Sequence, residues 1–301
     1  MNQAPVTVRV PAKVNVQLAV GGVRPDGFHP LANVFLAVGL HDEVTATPAD
    51  SLRITCTGPG ADRVPLDATN LAARAASALA RLHGLSPDVH LHIAKDIPVA
   101  GGMAGGSADA AGALLACDVL WATATPREQL LDICAELGSD VPFSLVGGAA
   151  LGVGRGEQLT PLPVGGPGFH WVFAVADGGL STPAVYGEFD RLTAGLAVPE
   201  PEASDALLGA LRTGDATALA AALTNDLQAA ALSLRPSLAD TLAVGTKAGA
   251  LAALVSGSGP TTAYLVQDAE AAQRVADALL ASGTCVAARP AVSPAAGATV
   301  V

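Results

Sequence analysis

The chain has 301 residues, of which 50% are hydrophobic and only 14% are charged, and its formal net charge at pH 7 is −11. The length predicts about two domains, with cores large enough to fold without disulfides or a structural metal. An acidic surface repels phosphate backbones and anionic headgroups, which argues against general binding to nucleic acids or membranes. Only three of the 16 basic residues are lysines, namely Lys13, Lys95 and Lys247, so each lysine is a candidate for a specific role.

The hydrophobic stretches of the chain do not predict a membrane span. The two longest runs without a charged residue, 158–176 and 248–267, are interrupted by prolines and glycines, and neither can form an apolar helix of about 20 residues. The N-terminus lacks a basic segment followed by an apolar one, and the four cysteines show no CxxC spacing. These features predict a cytoplasmic protein with reduced thiols.

The N-terminal part is predicted to begin with two strands. Residues 6–18 alternate between valine-rich and polar positions, which is the period of a half-buried strand. Lys13 and Asn15 share its polar face. The turn residues RPDGFHP (24–30) follow, and 31–44 is predicted to be a further strand.

The middle of the chain is predicted to be mainly helical. An alanine-rich helix is predicted over 70–83, and Gly84 ends it. A short strand around residues 90–93 leads into a glycine-rich loop and a long apolar helix. A second helix is predicted over 127–137, and Pro142 suits the first turn of the next one.

The C-terminal part begins after a segment rich in proline and glycine, 161–168, which is predicted to be a hinge. Several alanine-rich helices are expected between 203 and 253. The other predicted elements are strands over 171–176, 261–266 and 285–289 and a helix over 269–281. The last residues, PAVSPAAGATVV, are predicted to be irregular. This mixture of elements predicts an α+β protein with two lobes.

The glycine-rich stretch AGGMAGGSADAA (100–111) lies between a strand and a helix, where backbone N–H groups can approach an anion. A dinucleotide fingerprint is disfavoured, because the residues KDIP (95–98) separate the strand from the glycines. A Walker-type loop is disfavoured, because Ser107 and Ala108 stand where a lysine and a hydroxyl residue are required. Two alternatives remain: a loop needed only for close packing, or a phosphate-binding loop whose lysine comes from elsewhere in the chain.

Lys13 is the candidate for that lysine. It lies beside Asn15 on the polar face of a strand, where a solvated lysine is the ordinary alternative. Asp140, in LGSDVPF (137–143), can serve as a helix N-cap or can accept a proton from a substrate hydroxyl if Lys13 lies near it. Spacing along the chain leaves both alternatives open.

Three stretches of the chain together resemble one family, namely PAKVNVQLAVGGVRPDGFHPL (11–31), IPVAGGMAGGSADAA (97–111) and LGSDVPF (137–143). A fourth stretch, SGSGPTTAYL (256–265), resembles the third, C-terminal glycine motif of the superfamily to which that family belongs. The chain resembles the 4-diphosphocytidyl-2-C-methyl-D-erythritol kinases, which belong to the superfamily of galactokinase, homoserine kinase, mevalonate kinase and phosphomevalonate kinase (GHMP kinases). The glycine loop alone indicates the superfamily, whereas the first stretch together with LGSDVP is more specific to this family.

The resemblance implies an ATP-dependent, Mg²⁺-assisted phosphorylation of the 2-hydroxyl of 4-diphosphocytidyl-2-C-methyl-D-erythritol, a step of non-mevalonate isoprenoid synthesis. It also implies an N-terminal lobe (1–160) similar to the second domain of ribosomal protein S5 and a ferredoxin-like C-terminal lobe (161–301). The last ten or so residues of that lobe are expected to be irregular. No nucleic acid or membrane partner is expected, and the protein is expected to be a monomer or a homodimer.

The resemblance also assigns residues to roles. Lys13 and Asp140 would form the catalytic pair. The substrate would contact Asn15, Phe28, His29, Thr182 and Tyr186. The third glycine motif would contain Gly257, Ser258 and Gly259. ATP would contact Asn70, Lys95, Pro98, Val99, Ala100, Gly101, Gly102, Met103, Ala104, Gly105, Gly106, Ser107 and Ala108. No side chain is assigned to Mg²⁺, although the Ser107 hydroxyl is available for a metal or phosphate contact.

The chain departs from the family pattern at several positions. Phe28 replaces the usual tyrosine, which removes a hydroxyl and keeps the stacking face. Ala104 stands where glycine is frequent, and it allows close approach only if its φ is negative. Ala108 lacks the hydroxyl of a common second serine. Asp109 is expected to face solvent or to complement the helix N-terminus.

Two rival functions remain to be tested. The first is another small-molecule kinase of the superfamily, such as a homoserine or mevalonate kinase. The second is a non-catalytic nucleotide-binding or RNA-binding module, against which the acidic charge argues. His90 and His92 lie two residues apart on one strand face, but no partner with metal-ligand spacing accompanies them, so a structural role is favoured.

Overall fold

The computed structural model describes residues 4–99 and 101–301, so Ala100 of the predicted ATP-binding loop lies outside the described residues. The structure is α+β, as predicted. The strands are β1 (Val6–Val20), β2 (Leu31–Pro48), β3 (Arg53–Thr57), β4 (Val89–Ala94), β5 (Ala149–Val153), β6 (Gln158–Pro161), β7 (Phe169–Val175), β8 (Thr224–Asn225), β9 (Ala252–Val255), β10 (Thr262–Val266), β11 (Ala287–Ser293) and β12 (Thr299–Val300). The helices are α1 (Leu71–His83), α2 (Gly105–Leu120), α3 (Arg127–Leu137), α4 (Val141–Val146), α5 (Thr182–Thr193), α6 (Asp205–Thr213), α7 (Ala216–Ala222), α8 (Gln228–Leu234), α9 (Ser237–Lys247) and α10 (Ala269–Ser282).

The N-terminal lobe is built on one large sheet in which the neighbouring strands are β12, β1, β2, β4 and β3. β5 pairs with β2 and with β6, and β8 pairs with β1. The long antiparallel pair of β1 and β2 shifts register between Pro11 and Ala12 and again between Asn15 and Gln17. Such bulges bend a strand and redirect its side chains. The two irregularities bracket Lys13 and Asn15, which are the polar residues that the sequence singled out.

Helix α2 packs directly on this sheet. A Cβ on Gly112 would lie 2.9 Å from a methyl group of both Val10 and Val44, so the absence of a side chain is what allows the helix to approach. The other small residues of α2 serve the same purpose, because its alanines are almost entirely buried in the core. This close packing fixes the position of the N-terminus of α2 relative to β1.

The C-terminal lobe contains a four-stranded antiparallel sheet with the order β11, β7, β10 and β9. Along the chain, β7 is followed by helices, then by β9 and β10, then by α10 and β11. This is the β-α-β-β-α-β order of a ferredoxin-like domain. The predicted architecture of this lobe is therefore confirmed.

The two lobes share one continuous hydrophobic core, which includes Val8 and Val44 of the N-terminal sheet and Trp171 and Leu265 of the C-terminal sheet. The predicted hinge segment, 161–168, is packed and hydrogen-bonded, since the N–H of Gly165 donates to the carbonyl of Leu211 at 2.9 Å. The segment joins β6 of the N-terminal lobe to β7, the first strand of the C-terminal sheet.

The prediction of an irregular C-terminal tail is wrong. β11 extends to Ser293, Ala296 forms a bridge with Gly147, and β12 pairs with β1. The small residues of the tail are required by close packing and were read as a sign of irregular structure. Gly297, for example, lies against the backbone of α4, where a Cβ would collide with the carbonyl of Leu145. The tail thus returns to the N-terminal lobe and extends its sheet.

The hydrophobic residues that give the chain its apolar composition lie mainly in its core. Within residues 4–99 and 101–301, no helix combines the length and the apolar character that crossing a bilayer requires. Many alanines are buried instead, for example five of those in α1.

Candidate active site

A cleft with a volume of about 740 Å³ opens between the two lobes. Its walls come from β1, the turn before β2, the start of α2, the residues around Asp140, helix α5 and the loop after β9. The predicted site residues that line it are Lys13, Asn15, Phe28, His29, Gly101, Gly102, Ala104, Gly105, Gly106, Ser107, Asp140, Thr182, Tyr186, Gly257 and Ser258. Residues far apart in sequence therefore meet in one place.

Lys13 projects from the bulged segment of β1 into this cleft, and its side chain is only 6% exposed. Its ammonium group donates to Asn15 Oδ1 at 2.7 Å and to the carbonyl oxygen of Gly102 at 3.0 Å. Asn15 in turn donates from Nδ2 to Asn33 Oδ1 at 2.7 Å. The lysine is thus fixed by several acceptors, unlike a solvated surface lysine.

Asp140 faces Lys13, with its Oδ2 atom 3.6 Å from Lys13 Nζ. The residue occupies the N-cap position of α4, but its side chain makes no capping hydrogen bond. The carboxylate is 33% exposed and open to the cleft. Of the two roles considered for Asp140, the structure disfavours the N-cap, and the carboxylate remains available to accept a proton from a bound hydroxyl.

The glycine-rich loop and the third glycine motif pack against each other. Gly102 has a φ of +75°, and a Cβ there would collide with the carbonyl oxygen of Ser256. Ser256 Oγ donates to the Gly102 carbonyl at 3.2 Å. A Cβ on Gly257 would lie 3.1 Å from Asn15 Oδ1 and 3.3 Å from Lys13 Nζ. The two glycine motifs and Lys13 therefore form one close-packed unit.

The start of α2 gives this unit its capacity to bind an anion. Gly105, Gly106 and Ser107 form the first turn of the helix and line the cleft. The N–H groups of a first turn have no partner within the helix, and the helix dipole adds partial positive charge there. Ala104 does not meet the condition stated above for close approach, because its φ is +61°, a left-handed conformation that costs a non-glycine residue about 1–2 kcal/mol.

The opposite end of the cleft is aromatic. The His29 ring centre lies 5.1 Å from that of Tyr186, and His29 Nδ1 lies 2.8 Å from the carbonyl oxygen of Gly21. Phe28 is 49% exposed, so much of its ring is free for contact. Burial, aided by the Asp140 carboxylate, raises the pKa of Tyr186, which keeps the phenol neutral. Thr182 Oγ1 lies 2.9 Å from Ser258 Oγ and joins this end to the third glycine motif.

Comparison with known proteins agrees with this geometry. The model of the GHMP kinases N terminal domain matches residues 70–148, and the model of the GHMP kinases C terminal region matches residues 207–285. A 4-diphosphocytidyl-2-C-methyl-D-erythritol kinase of Streptomyces avermitilis is 79% identical, over 98% of this chain and 99% of its own. The chain belongs to the 4-diphosphocytidyl-2-C-methyl-D-erythritol kinase family of GHMP kinases. Membership makes it a phosphotransferase, as predicted.

Solved structures confirm the predicted two-lobed GHMP kinase fold. A crystal structure of 4-(cytidine 5'-diphospho)-2C-methyl-D-erythritol kinase matches with a TM-score of 0.78 and 31% identity, and the match covers 96% of this chain and 99% of that one. A homoserine kinase from Cytophaga hutchinsonii matches with a TM-score of 0.76, over 99% of this chain and 97% of that one. Its identity is only 20%, so that likeness concerns the fold alone.

Lys95, which the family resemblance assigned to ATP, does not line the cleft. Its ammonium group is buried beneath the glycine loop, between the carboxylates of Asp42 and Asp109. Burial opposes a charged lysine, but the two carboxylates outweigh it and raise the pKa of Lys95 above its ordinary value. A direct contact between Lys95 and the nucleotide stays a prediction, and the partners that the structure shows for the ammonium group are the two carboxylates of this cluster.

Asp109 also differs from its expectation, since it is buried rather than facing solvent. Its Oδ2 atom accepts from Lys95 at 2.8 Å, whereas Oδ1 has no hydrogen-bond partner. Asp42, by contrast, accepts from the N–H groups of Asp96 and Ile97 at 2.7 and 2.9 Å. Burial raises the pKa of Asp109 to about 7 against the attraction of Lys95. Asp42 is therefore the better-supported charged partner of Lys95.

Asp109→Asn is expected to change how stability depends on pH. In the native state Asp109 keeps its proton up to about pH 7, whereas in the unfolded chain it loses the proton near its ordinary pKa of 3.8. The native state then binds more protons, so this group makes the protein less stable as pH rises through that window. The Asp109→Asn variant has no such proton to lose. The difference between its free energy of unfolding and that of the parent protein, measured in urea, should therefore shift in favour of the variant as the pH rises from 5 to 8. A difference that does not vary with pH would contradict this assignment.

Other residues that are predicted to contact ATP have structural partners in the fold. Asn70 caps α1, since its Oδ1 accepts from the N–H of Ala72 at 2.8 Å and its Nδ2 donates to the carbonyl of Pro65 at 2.6 Å. Met103 and Ala108 are fully buried in the core, so their side chains cannot touch a nucleotide. Among the described residues assigned above to ATP between positions 98 and 108 and to the third glycine motif at positions 257–259, those that do not line the cleft are Pro98, Val99, Met103, Ala108 and Gly259.

Several residues that line the cleft were missed by the sequence reasoning, among them Asn33, Arg155 and Asp190. Asn33 lies on β2 opposite Leu18, in the strand pair that carries Lys13. It is the one polar side chain in the first ten residues of β2, LANVFLAVGL, and this polarity was a usable signal. Arg155 and Asp190 lie in a turn and on an exposed helix, where charged residues are ordinary, so no local signal distinguishes them.

His90 and His92 are hydrogen-bonded to threonines of the neighbouring strand β3. His90 and His92 both contact Thr55 Oγ1, each at 2.8 Å, and His92 also contacts Thr57 at 3.2 Å. Within the described part of the chain, no group of three or more His, Cys, Asp or Glu side chains is arranged to hold a metal.

Proposed function

We propose that the cleft transfers the γ-phosphoryl group of ATP to the 2-hydroxyl of 4-diphosphocytidyl-2-C-methyl-D-erythritol, which yields ADP and the 2-phosphate. The observation that carries the proposal is the Lys13–Asp140 pair, which lies between the anion-binding start of α2 and the aromatic end of the cleft. We assign the lobes to residues 1–160 and 161–301, so that the reaction takes place where they meet.

Asp140 and Lys13 would divide the chemistry between them. As the 2-hydroxyl oxygen forms its bond to the γ-phosphorus, the bond from that phosphorus to the β,γ-bridging oxygen breaks and ADP leaves. The hydroxyl proton passes to the Asp140 carboxylate, which lies 3.6 Å from Lys13 Nζ and is exposed enough to reach substrate. The Lys13 ammonium neutralises negative charge on the transferring group and on the attacking oxygen.

The ATP phosphates would lie over the start of α2. The first-turn N–H groups of Gly105, Gly106 and Ser107 offer donors, and Gly106 leaves open space, since the nearest atom to a Cβ there is 3.9 Å away. Bound Mg²⁺ would supply positive charge that offsets the negative charge of the ATP phosphates. Within the described residues no acidic cluster converges on this point, so phosphate oxygens would supply most of its ligands, together with the Ser107 hydroxyl.

The cytidyl group would bind at the aromatic end. Because a carbonyl oxygen only accepts, the contact with Gly21 requires the proton to be on His29 Nδ1. His29 Nε2 lies 3.5 Å from Asp190 Oδ1, so the ring and this carboxylate stand together at the place proposed for the base. Phe28 and Tyr186 offer aromatic faces for the base. Asn15 and Thr182 lie between this end and the glycine motifs, where they would contact the rest of the substrate.

Phe28→Ala is expected to raise the KM for the cytidyl substrate roughly five- to tenfold, because one stacking face for the base is lost. The KM for ATP and kcat should change little, since Phe28 lies away from the start of α2. Steady-state kinetics with each substrate varied in turn measures this split. An unchanged KM for the cytidyl substrate would show that the Phe28 ring does not contact it.

The function itself is tested by an assay of ADP release with different alcohols. We expect turnover with 4-diphosphocytidyl-2-C-methyl-D-erythritol and none above background with homoserine or mevalonate. Activity with homoserine but not with the cytidyl compound would contradict the proposal.

The cellular setting is part of the same proposal. We infer a cytoplasmic enzyme that acts on small molecules, as a monomer or a homodimer, without nucleic acid or membrane partners. In support, Cys56, Cys117, Cys134 and Cys285 are all free thiols, which is usual in a reducing compartment.

A further inference from the structure

Arg155 lies at a tight turn between β5 and β6 and lines the cleft. The glycines on either side of it, Gly154 and Gly156, have φ values of +74° and +103°. The Gly154 carbonyl accepts from the N–H of Leu31 at 2.9 Å, which ties this turn to the first residue of β2. The turn is therefore fastened to the segment that presents Phe28 and His29.

The Arg155 side chain is directed at Phe28. Its guanidinium carbon lies 5.1 Å from the centre of the Phe28 ring, within the range of a cation–π contact. The nearest carboxylate that pairs with Arg155 is Glu157, at the long distance of 3.9 Å. The arginine side chain is 39% exposed, so its donors retain access to a ligand in the cleft.

The basic residues that line the cleft indicate which kind of ligand Arg155 is placed to bind. Among the described residues that line the cleft, Lys13 and Arg155 are the only Lys or Arg side chains. Lys13 is occupied by Asn15, the Gly102 carbonyl and Asp140. The proposed substrate carries a diphosphate between its cytidine and its reacting alcohol. Guanidinium groups bind phosphate oxygens through two parallel hydrogen bonds, so Arg155 is the cation suited to that diphosphate.

We propose that Arg155 determines specificity for a nucleoside diphosphate group, by holding the Phe28 ring in place for the base and by donating to the diphosphate oxygens. This inference rests on the proposed function, because it takes the cytidyl compound as the substrate. It assigns Arg155 to substrate binding and leaves the chemical step to Lys13 and Asp140.

The test compares Arg155→Ala and Arg155→Lys with Arg274→Ala, which removes an exposed arginine of α10 far from the cleft. Arg155→Ala should raise the KM for the cytidyl substrate by roughly tenfold or more while the KM for ATP and kcat stay near the parent values. Arg155→Lys keeps the charge but not the planar fork, so it should restore only part of the affinity. Arg274→Ala should match the parent protein.

Calorimetric titration with CDP and with cytidine measures whether Arg155 contributes to binding of the diphosphate or of the nucleoside. If Arg155 contacts the diphosphate, Arg155→Ala weakens CDP binding by a larger factor than cytidine binding. Equal factors for the two ligands, or an unchanged KM for the cytidyl substrate, would overturn the assignment. Failure of the parent protein to turn over the cytidyl substrate would overturn the proposed function instead, and that result is visible before any variant is made.

Discussion

Asp140→Asn is expected to lower kcat by about a thousandfold while the protein stays folded. The substitution keeps the shape of the side chain but removes the charge and the ability to accept a proton. The Asp140 carboxylate makes no capping bond to α4, so its loss should cost the fold little. Steady-state kinetics at saturating substrate concentrations measures the effect, and thermal unfolding checks the fold.

Lys13→Ala should cause a loss of similar size for a different reason. Lys13 Nζ is bonded to Asn15 and Gly102 and lies 3.6 Å from Asp140, so its removal deletes the positive charge from the reacting region. Asp132→Asn, on the exposed face of α3, is the matched control for charge removal and should behave like the parent protein. Turnover within a few-fold of the parent in either Asp140→Asn or Lys13→Ala would remove that residue from the chemical step.

Lys95→Ala is expected to destabilise the protein by about 3–5 kcal/mol, because it leaves the buried Asp42 carboxylate without its cation. Asp42 and Asp109 are 0% and 3% exposed, so water cannot replace the lysine. The cluster also lies beneath the glycine loop, since a Cβ on Gly105 would be 3.2 Å from Lys95 Nζ. Urea unfolding at neutral pH measures the change.

Lys247→Ala supplies the control for Lys95, because Lys247 is an exposed lysine at the end of α9. It should alter the free energy of unfolding by less than about 0.5 kcal/mol. A Lys95→Ala variant as stable as Lys247→Ala would show that the buried carboxylates do not depend on the lysine for their stability.

The sequence predicted most of the regular elements because their signals are local. The alternation of β1, the N-terminal and C-terminal residues of α1 and the bounds of α3 all follow from side-chain period and end residues. The tail was the main exception. Its small residues carry no periodic signal, and their pairing with β1 and α4 depends on tertiary contact.

The site was only partly predictable. Lys13 and Asp140 stood out because lysines are rare and because each residue lies within a recognisable motif, but their proximity had to come from the fold. Lys95 and Asn70 carry similar signals in the sequence, yet one is buried between carboxylates and the other caps a helix. The spacing of residues along the chain does not indicate which side chains are buried in the folded protein. For the same reason Asp42, the other half of the buried cluster, was not singled out.

The most direct measurement is a crystal structure of the protein with a non-hydrolysable ATP analogue and 4-diphosphocytidyl-2-C-methyl-D-erythritol. The account predicts the 2-hydroxyl oxygen within hydrogen-bonding distance of the Asp140 carboxylate, with Lys13 Nζ beside the γ-phosphate. The cytosine should lie against Phe28. A complex in which the 2-hydroxyl lies away from both Lys13 and Asp140 would contradict the account.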